Sequence, residues 1–166
     1  PNGLLVVNGD NKRCLSLYKK SAIPKKVYTL HKNKIDSDMW AEEISTTKDA
    51  VDFVAFDKAK EVSHFRVKAS GKHSIQNLLG AILVAKELGM SLEEISLACK
   101  KIKPEQAGSV AQKGFGGINI IDSSYSSNPD GVVADLDHLS IFTGKKVIIM
   151  PCLIELGDRS AEVHRE

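Results

Sequence analysis

Three groups of polar side chains in this sequence carry residue types able to hold or transform a ligand. They are His73-Ser74-Ile75-Gln76-Asn77, the run from Asp122 through Tyr125 to Asn128, and Glu155 with His164. His73 and Asn77 are one helical turn apart, so a helix places them on one face. They stand at its start, where free backbone N–H groups suit an anion or a ring nitrogen. Local capping of the helix end is the alternative for this pair. Asp122 and Asn128 offer an acceptor and an amide at the two ends of one loop, a combination that can hold sugar hydroxyls. The alternative is turn formation plus an N-cap, since Asn-Pro sets Pro129 at the first helical position. Glu155 and His164 carry no motif of their own.

The elements that must position these groups follow from apolar patterning. An alternating run climbs from Ile118 to Asp122, a polar loop follows, and Asn128-Pro129-Asp130 opens a helix from Pro129 to Leu139 on Val132, Val133, Leu136 and Leu139. The polar residues thus collect where a strand hands over to a helix, the usual address of a ligand in an open α/β sheet. Leu4 to Val7 reads as a buried strand closed by Asn8-Gly9-Asp10-Asn11. Asn11 caps a short helix with Leu15, Leu17 and Tyr18 on its apolar face, Pro24 stops it, and Val27 to Leu30 gives a second strand. Met39 to Thr46, Ala50 to Phe56 and Glu61 to Val67 form an antiparallel meander attached to the main sheet, with Trp40, Phe53, Phe56 and Phe65 assigned to the core. His73 to Leu88 is the clearest helix, ended by Gly89. Ser91 to Glu94 is a capping box opening another helix through Lys100.

Pro104 to Gly108 resembles a linker. After it, Ser109 to Gln112 and Ile118 to Ile121 flank Lys113-Gly-Phe-Gly-Gly117. No Gly-Lys-Ser/Thr follows these glycines, so a hairpin is favoured over a phosphate cradle. Lys146 to Met150 is expected to be a buried strand, and Ser160 onward begins a further helix. Strand, helix, strand, helix implies a parallel sheet with a right-handed crossover.

A chain of 166 residues that is 42% hydrophobic buries a real core in one domain or two small ones. A net charge of +2 and scattered Lys pairs argue against a nucleic-acid partner. Cys14, Cys99 and Cys152 show no metal-ligand spacing and suit reduced, mostly buried thiols in a cytoplasmic protein. No apolar run approaches the roughly 18 residues that span a bilayer, and no signal peptide opens the chain. The opening on Pro1 and the stop inside a helical pattern suggest a fragment of a longer protein.

Taken jointly, the polar groups resemble the Mur ligase family, the ATP-dependent amide ligases that build the peptide of the bacterial cell wall. Gly71-Lys-His73-Ser-Ile-Gln-Asn77-Leu-Leu-Gly-Ala81 is similar to the family's G-x-H-N-x-x-N-x-x-A-A. Asp122-Ser-Ser-Tyr125-Ser-Ser-Asn128-Pro129-Asp130 is similar to its D-D-x-Y-N-A-N-P-x. Ile154-Glu155-Leu156-Gly157 with Ser160 and His164 resembles the E-L-G-x-x-S-x-x-x-H of the branch that adds D-alanyl-D-alanine.

The resemblance implies an α/β chain. Residues 1–106 would be the latter part of the central ATPase domain, an α/β sheet plus a small antiparallel β meander. Residues 107–166 would be the first part of a Rossmann-like C-terminal domain. It implies cofactor binding by His73, Asn77, Asp122, Tyr125 and Asn128, with Asn77 facing the adenine and the other loop on the lobe that closes over nucleotide. The implied cofactors are ATP and Mg²⁺, and the implied partners are a UDP-muramoyl-peptide and D-alanyl-D-alanine or another amino acid or dipeptide. The oligomeric state is left open.

Gly71-Lys72 is no Walker A, because Arg66 stands where its first glycine belongs and His73 follows the Lys. The family's P-loop and metal-binding residues would lie upstream. No catalytic or metal-binding residue is therefore expected in this stretch, nor ligase activity from it alone. Ser74, Ser109 and Ser123 stand where the family usually has Asn, Arg and Asp. The lost cation and acceptor argue against family-typical nucleotide affinity. Two alternatives are a related ligase of the folylpolyglutamate or cyanophycin type and a non-catalytic nucleotide-binding relative.

Overall fold

The structure, a computed structural model, describes residues 3–32, 35–47, 49–69, 71–102, 110–124 and 128–165. The chain divides into two compact units, Pro1–Lys103 and Pro104–Glu166. The proposed linker at 104–108 lies outside the described residues.

The first unit opens with β1 (Leu5–Asn8), α1 (Lys12–Lys20) and β2 (Lys25–Thr29). The Asn11 side chain accepts from the N–H groups of Arg13 and Cys14 and starts α1 as its sequence anticipates. At the other end the Lys25 ammonium donates to the carbonyls of Tyr18 at 2.7 Å and Ser21 at 2.8 Å, placing a cation where the helix dipole favours one. β3 (Met39–Thr46), β4 (Val51–Asp57) and β5 (Val62–Val67) follow, then α2 (Lys72–Glu87) and α3 (Leu92–Cys99). All five strands form one sheet in the order β1-β2-β3-β4-β5. The pairs β1–β2 and β2–β3 are parallel, while β3–β4 and β4–β5 are antiparallel. The meander therefore continues the parallel sheet directly.

β4 alternates strictly, with Val51, Phe53 and Ala55 buried on one face. They meet Met39, Phe65 and the α2 residues Ile75, Leu79, Ile82 and Leu83 in one core, where Phe53 and Phe65 stack at 5.2 Å. Each large side chain so buried stabilises the unit by roughly 1.5–3 kcal/mol. Gly80 lets α2 approach the sheet, since a Cβ there would lie 3.1 Å from the Tyr28 ring. The capping box at Ser91 and Glu94 is formed, and α3 is tied to β5 by the Ser96 hydroxyl donating to the His64 carbonyl at 2.6 Å. Lys86, Asp57 and Glu61 form an ion network, and Glu61 also accepts the Leu92 N–H at 3.1 Å. It pins the end of α2, the β4–β5 turn and the start of α3 together.

Of the four aromatics assigned to the core, Phe53 and Phe65 are there. Trp40 and Phe56 instead stack on each other, half-buried, at 5.7 Å, with the Lys32 ammonium over both rings. The same alternation that buries Ala41 and Ala55 turns their neighbours to the opposite face. Cys99 is buried, which raises its thiol pKa, and Cys14 is half-buried, but Cys152 is exposed, contrary to expectation.

In the second unit, β6 (Val110–Lys113) and β7 (Asn119–Asp122) make the antiparallel hairpin expected, around a 3₁₀ turn at Phe115–Gly117. Gly116 and Gly117, at φ 68° and 80°, supply the left-handed backbone the turn needs. α4 (Pro129–Ser140) follows, and after a 3₁₀ turn at Gly157–Arg159 comes the single-turn α5 (Ser160–Val163).

The buried strand expected at Lys146 to Met150 is not formed: Val147 is 68% and Ile149 94% exposed. An apolar run supplies propensity, but a strand exists only with a neighbour for its N–H and C=O groups. Among the described residues of this unit the only ladder is β6–β7, so the expected parallel crossover is also absent there.

Candidate functional site at the start of the second helix

α2 starts at a glycine. Gly71 is the N-cap at φ 76°, it has no side chain to cap with, and the first turn holds no acid. Neither His73 nor Asn77 caps it. The His73 ring folds back over Gly71, so close that a Cβ there would sit 2.8 Å from Cε1 and Nδ1. His73 Nδ1 is buried and makes no hydrogen bond, a state that costs about 1–3 kcal/mol unless a partner meets it. Asn77, one turn along, is exposed. A ring nitrogen and a carboxamide thus share the helix start, a set that suits a nucleotide base.

Behind it lies a carboxylate that reading the sequence missed. Asp10 follows β1, its N–H bound to the Asn8 side chain at 2.9 Å. One carboxylate oxygen accepts the Thr29 hydroxyl at 2.7 Å. The other accepts the Leu30 N–H at 2.8 Å and stands 3.5 Å from the Gln76 amide nitrogen. Burial alone would raise its pKa. The hydrogen bonds from Leu30, Thr29 and Gln76, with His31 nearby, outweigh that and hold it below the ordinary value. The one signal is positional: Asn8-Gly9-Asp10-Asn11 becomes more than a turn once it is known to follow a parallel strand, because ligands gather at the carboxyl ends of such strands.

In the second unit, Asp122 accepts the Ser124 N–H at 3.0 Å in a local turn, and the Ser124 hydroxyl and N–H lower its pKa. Asn128 caps α4, accepting the Gly131 N–H at 2.9 Å. Both make the turn and N-cap contacts described as the alternative, and both remain exposed. Tyr125 lies outside the described residues.

In the third group, the His164 ring accepts the Leu153 N–H through Nε2 at 3.0 Å and faces the Ser160 carbonyl through Nδ1 at 2.7 Å. It thereby fastens the 153 loop to α5. Among the described residues no three His, Cys, Asp or Glu side chains gather as metal ligands would, and no helix is long and apolar enough to cross a membrane.

Residues 1–85 match the model of the Mur ligase middle domain, half of the chain. The chain belongs to the Mur ligase family. The UDP-N-acetylmuramoyl-tripeptide--D-alanyl-D-alanine ligase of Escherichia coli (strain K12) is 24% identical over 98% of this Mur ligase chain and 36% of its own length. MurF from Acinetobacter baumannii superposes with a TM-score of 0.85 at 24% identity, covering 99% of this chain and 35% of that one. MurF from Thermotoga maritima, solved in complex with ADP, gives a TM-score of 0.79 at 17% identity over 99% of this chain and 36% of that one. At such identities the superpositions speak for the fold, which is the α/β fold expected. The chain spans little more than a third of the length of the relatives it matches.

Proposed function

We propose that this chain is the nucleotide-facing part of an ATP-dependent amide ligase of peptidoglycan precursor synthesis. The whole enzyme joins D-alanyl-D-alanine to a UDP-muramoyl-peptide in the cytoplasm. The observation that carries the reading is the likeness, over nearly the whole chain, to ligases whose names state that reaction. A partly buried imidazole with an unpaired Nδ1, at the start of a helix, supports a nucleotide there.

In this reading residues 1–106 are central-domain sequence and 107–166 open the C-terminal domain. His73 and Asn77 meet the adenine end of ATP from the first unit. Asp122, Tyr125 and Asn128 remain cofactor-binding candidates of the second unit on the likeness of their motif alone. Asn77 supplies a donor and an acceptor for a base edge, His73 Nδ1 one further polar contact, and the helix start a positive end of a dipole. Residues outside this chain would hold the phosphates and Mg²⁺, and with that metal would supply the electrostatic clamp for phosphoryl transfer. The substrate carboxylate takes the γ-phosphoryl group as ADP departs. The amine then attacks the acyl carbon, and phosphate leaves with the amine's proton lost to solvent or base.

The test is an ADP-dependent thermal shift on the full-length protein, in wild type, Asn77→Ala and Asn128→Ala. A ligand bound only to the native state raises the midpoint according to its affinity, so both variants should shift less than wild type. Three equal shifts would overturn the site. Release of phosphate from ATP only with UDP-muramoyl-tripeptide and D-alanyl-D-alanine together would support the substrate assignment. Release with glutamate and a folate instead would favour the folylpolyglutamate-type alternative.

A further inference from the structure

The charge of this chain is unevenly placed. Between Asp10 and Asp36 lie 25 residues that hold eight of the 23 Lys and Arg and none of the 21 Asp and Glu. The rest of the chain has 15 cations against 21 acids, so the small net charge hides a basic segment on an acidic background.

Three of the eight cations are engaged within the first unit. Lys25 donates to the carbonyls of Tyr18 and Ser21, while Lys26 pairs with Glu87 and Lys32 with Glu42, each at 2.7 Å. Lys34 lies outside the described residues. The other four, Lys12, Arg13, Lys19 and Lys20, stand exposed on α1 and make no ion pair with a described residue. The acids that bound the segment do not answer them: Asp36 is held by Lys58 at 2.9 Å, and Asp10 by Thr29 and Leu30.

α1 has no fully buried residue, and Cys14, Leu15 and Tyr18 are its half-buried side. Leu17 is 62% exposed. At helical spacing it lies one turn from Arg13 and one from Lys20, on the same outward face. Ile23, in the loop that follows, is exposed as well. Because α1 runs back from the carboxyl end of β1 to the amino end of β2, Lys19, Lys20 and Ile23 stand at the far end of the parallel strands from Asp10 and Gln76.

Single exposed leucines are common. One flanked by Arg13 and Lys20 on a face without acids offers two kinds of attraction at one place. That pairing matches a surface anionic at its edge and hydrocarbon just beneath, a bilayer with anionic headgroups. A single-stranded nucleic acid would be met by stacking aromatics among the cations, and the one aromatic of α1, Tyr18, is on the half-buried side.

We propose that α1 is a peripheral membrane contact: Lys12, Arg13, Lys19 and Lys20 meet anionic phospholipid headgroups, and Leu17 enters the headgroup boundary. Four cations and one leucine give a reversible, salt-sensitive attachment and not an anchor.

The experiment is flotation of the full-length protein with vesicles of phosphatidylcholine, alone or mixed with an equal part of phosphatidylglycerol, at about 0.05 and 0.2 M salt. The variants are Leu17→Gln, Lys19→Gln/Lys20→Gln and, as control, Lys100→Gln/Lys101→Gln, an exposed pair just past α3. Wild type should float only with phosphatidylglycerol present, and less at the higher salt. Each cation removed should weaken partition about fivefold, so the α1 pair loses about 20-fold. Leu17→Gln should lose about 3–10-fold, and the control less than about threefold.

No flotation with phosphatidylglycerol vesicles overturns the proposal. So does a control that loses as much as the α1 pair, since total charge and not α1 would then decide. Leu17→Gln floating like wild type overturns the lipid contact. Tighter binding of a single-stranded RNA, weakened in Lys19→Gln/Lys20→Gln but not in Leu17→Gln, overturns it in favour of a nucleic acid. Should the lysine pair fail to fold, Leu17→Gln and Lys12→Gln, the latter about fivefold weaker, decide.

Discussion

Gly71→Ala is the sharpest probe of the candidate site, because Gly71 serves two purposes at once. Its φ of 76° lies where L-residues are strained, which costs about 1–3 kcal/mol for Ala. Its missing Cβ also makes room for the His73 ring, 2.8 Å from where that carbon would stand. The ring is a movable side chain, so it will swing rather than break the fold, at about 0.5–1.5 kcal/mol for an off-rotamer angle.

Swinging also brings Nδ1 to water and returns about 1 kcal/mol. The ring contributions nearly cancel, and stability alone will not reveal them. Gly89 is the control, with φ 99° at the other end of α2 and nothing within 4 Å of its would-be Cβ. Both Ala variants should lose about 1–3 kcal/mol in urea titrations of the full-length protein, agreeing within about 1 kcal/mol of each other. Only Gly71→Ala should weaken ADP binding in the calorimeter, and His73→Ala alone should weaken it similarly. Gly71→Ala with wild-type stability would refute the backbone reasoning. Equal ADP affinity in Gly71→Ala and Gly89→Ala would refute the placement of His73 at the nucleotide.

Two further outcomes follow from the first unit. Lys86→Met strips the cation from Asp57, whose side chain is 7% exposed, and should cost about 3 kcal/mol by urea titration; a loss under about 0.5 kcal/mol would place that pair effectively in solvent. Asp10, with its folded pKa held below the ordinary value of 3.8, adds stability above that pH and loses it as pH falls through the folded pKa. Urea midpoints followed from pH 6 downward should therefore fall more steeply below about pH 4 in wild type than in Asp10→Asn, and parallel curves would contradict the hydrogen-bonded carboxylate.

What the sequence made legible was what neighbouring residues decide. Asn11, Ser91 with Glu94, and Asn128 before Pro129 each satisfy backbone N–H groups within three residues, so their helix starts were readable without tertiary knowledge. The alternation of β4 and the spacing of Ile75, Leu79, Ile82 and Leu83 were likewise local. What failed depended on partners. Lys146 to Met150 has strand composition, yet pairing is a property of two segments, and none of the described residues supplies the second. Trp40 and Phe56 have the pattern of sheet residues, but alternation does not say which face a helix will cover.

The candidate site divides along the same line. His73, Asn77 and Asn128 could be singled out because they lie at helix starts readable from their own neighbours, and Asp122 because it ends the apolar alternation of β7. Asp10 could not, since its partners Thr29 and Gln76 lie 19 and 66 residues away and meet it only once the sheet and α2 are assembled. A carboxylate that works by tying distant elements leaves no short motif around itself. Its trace in the sequence is positional, a single acid just past the end of a parallel strand, and that trace acquires meaning only when the strand order is known.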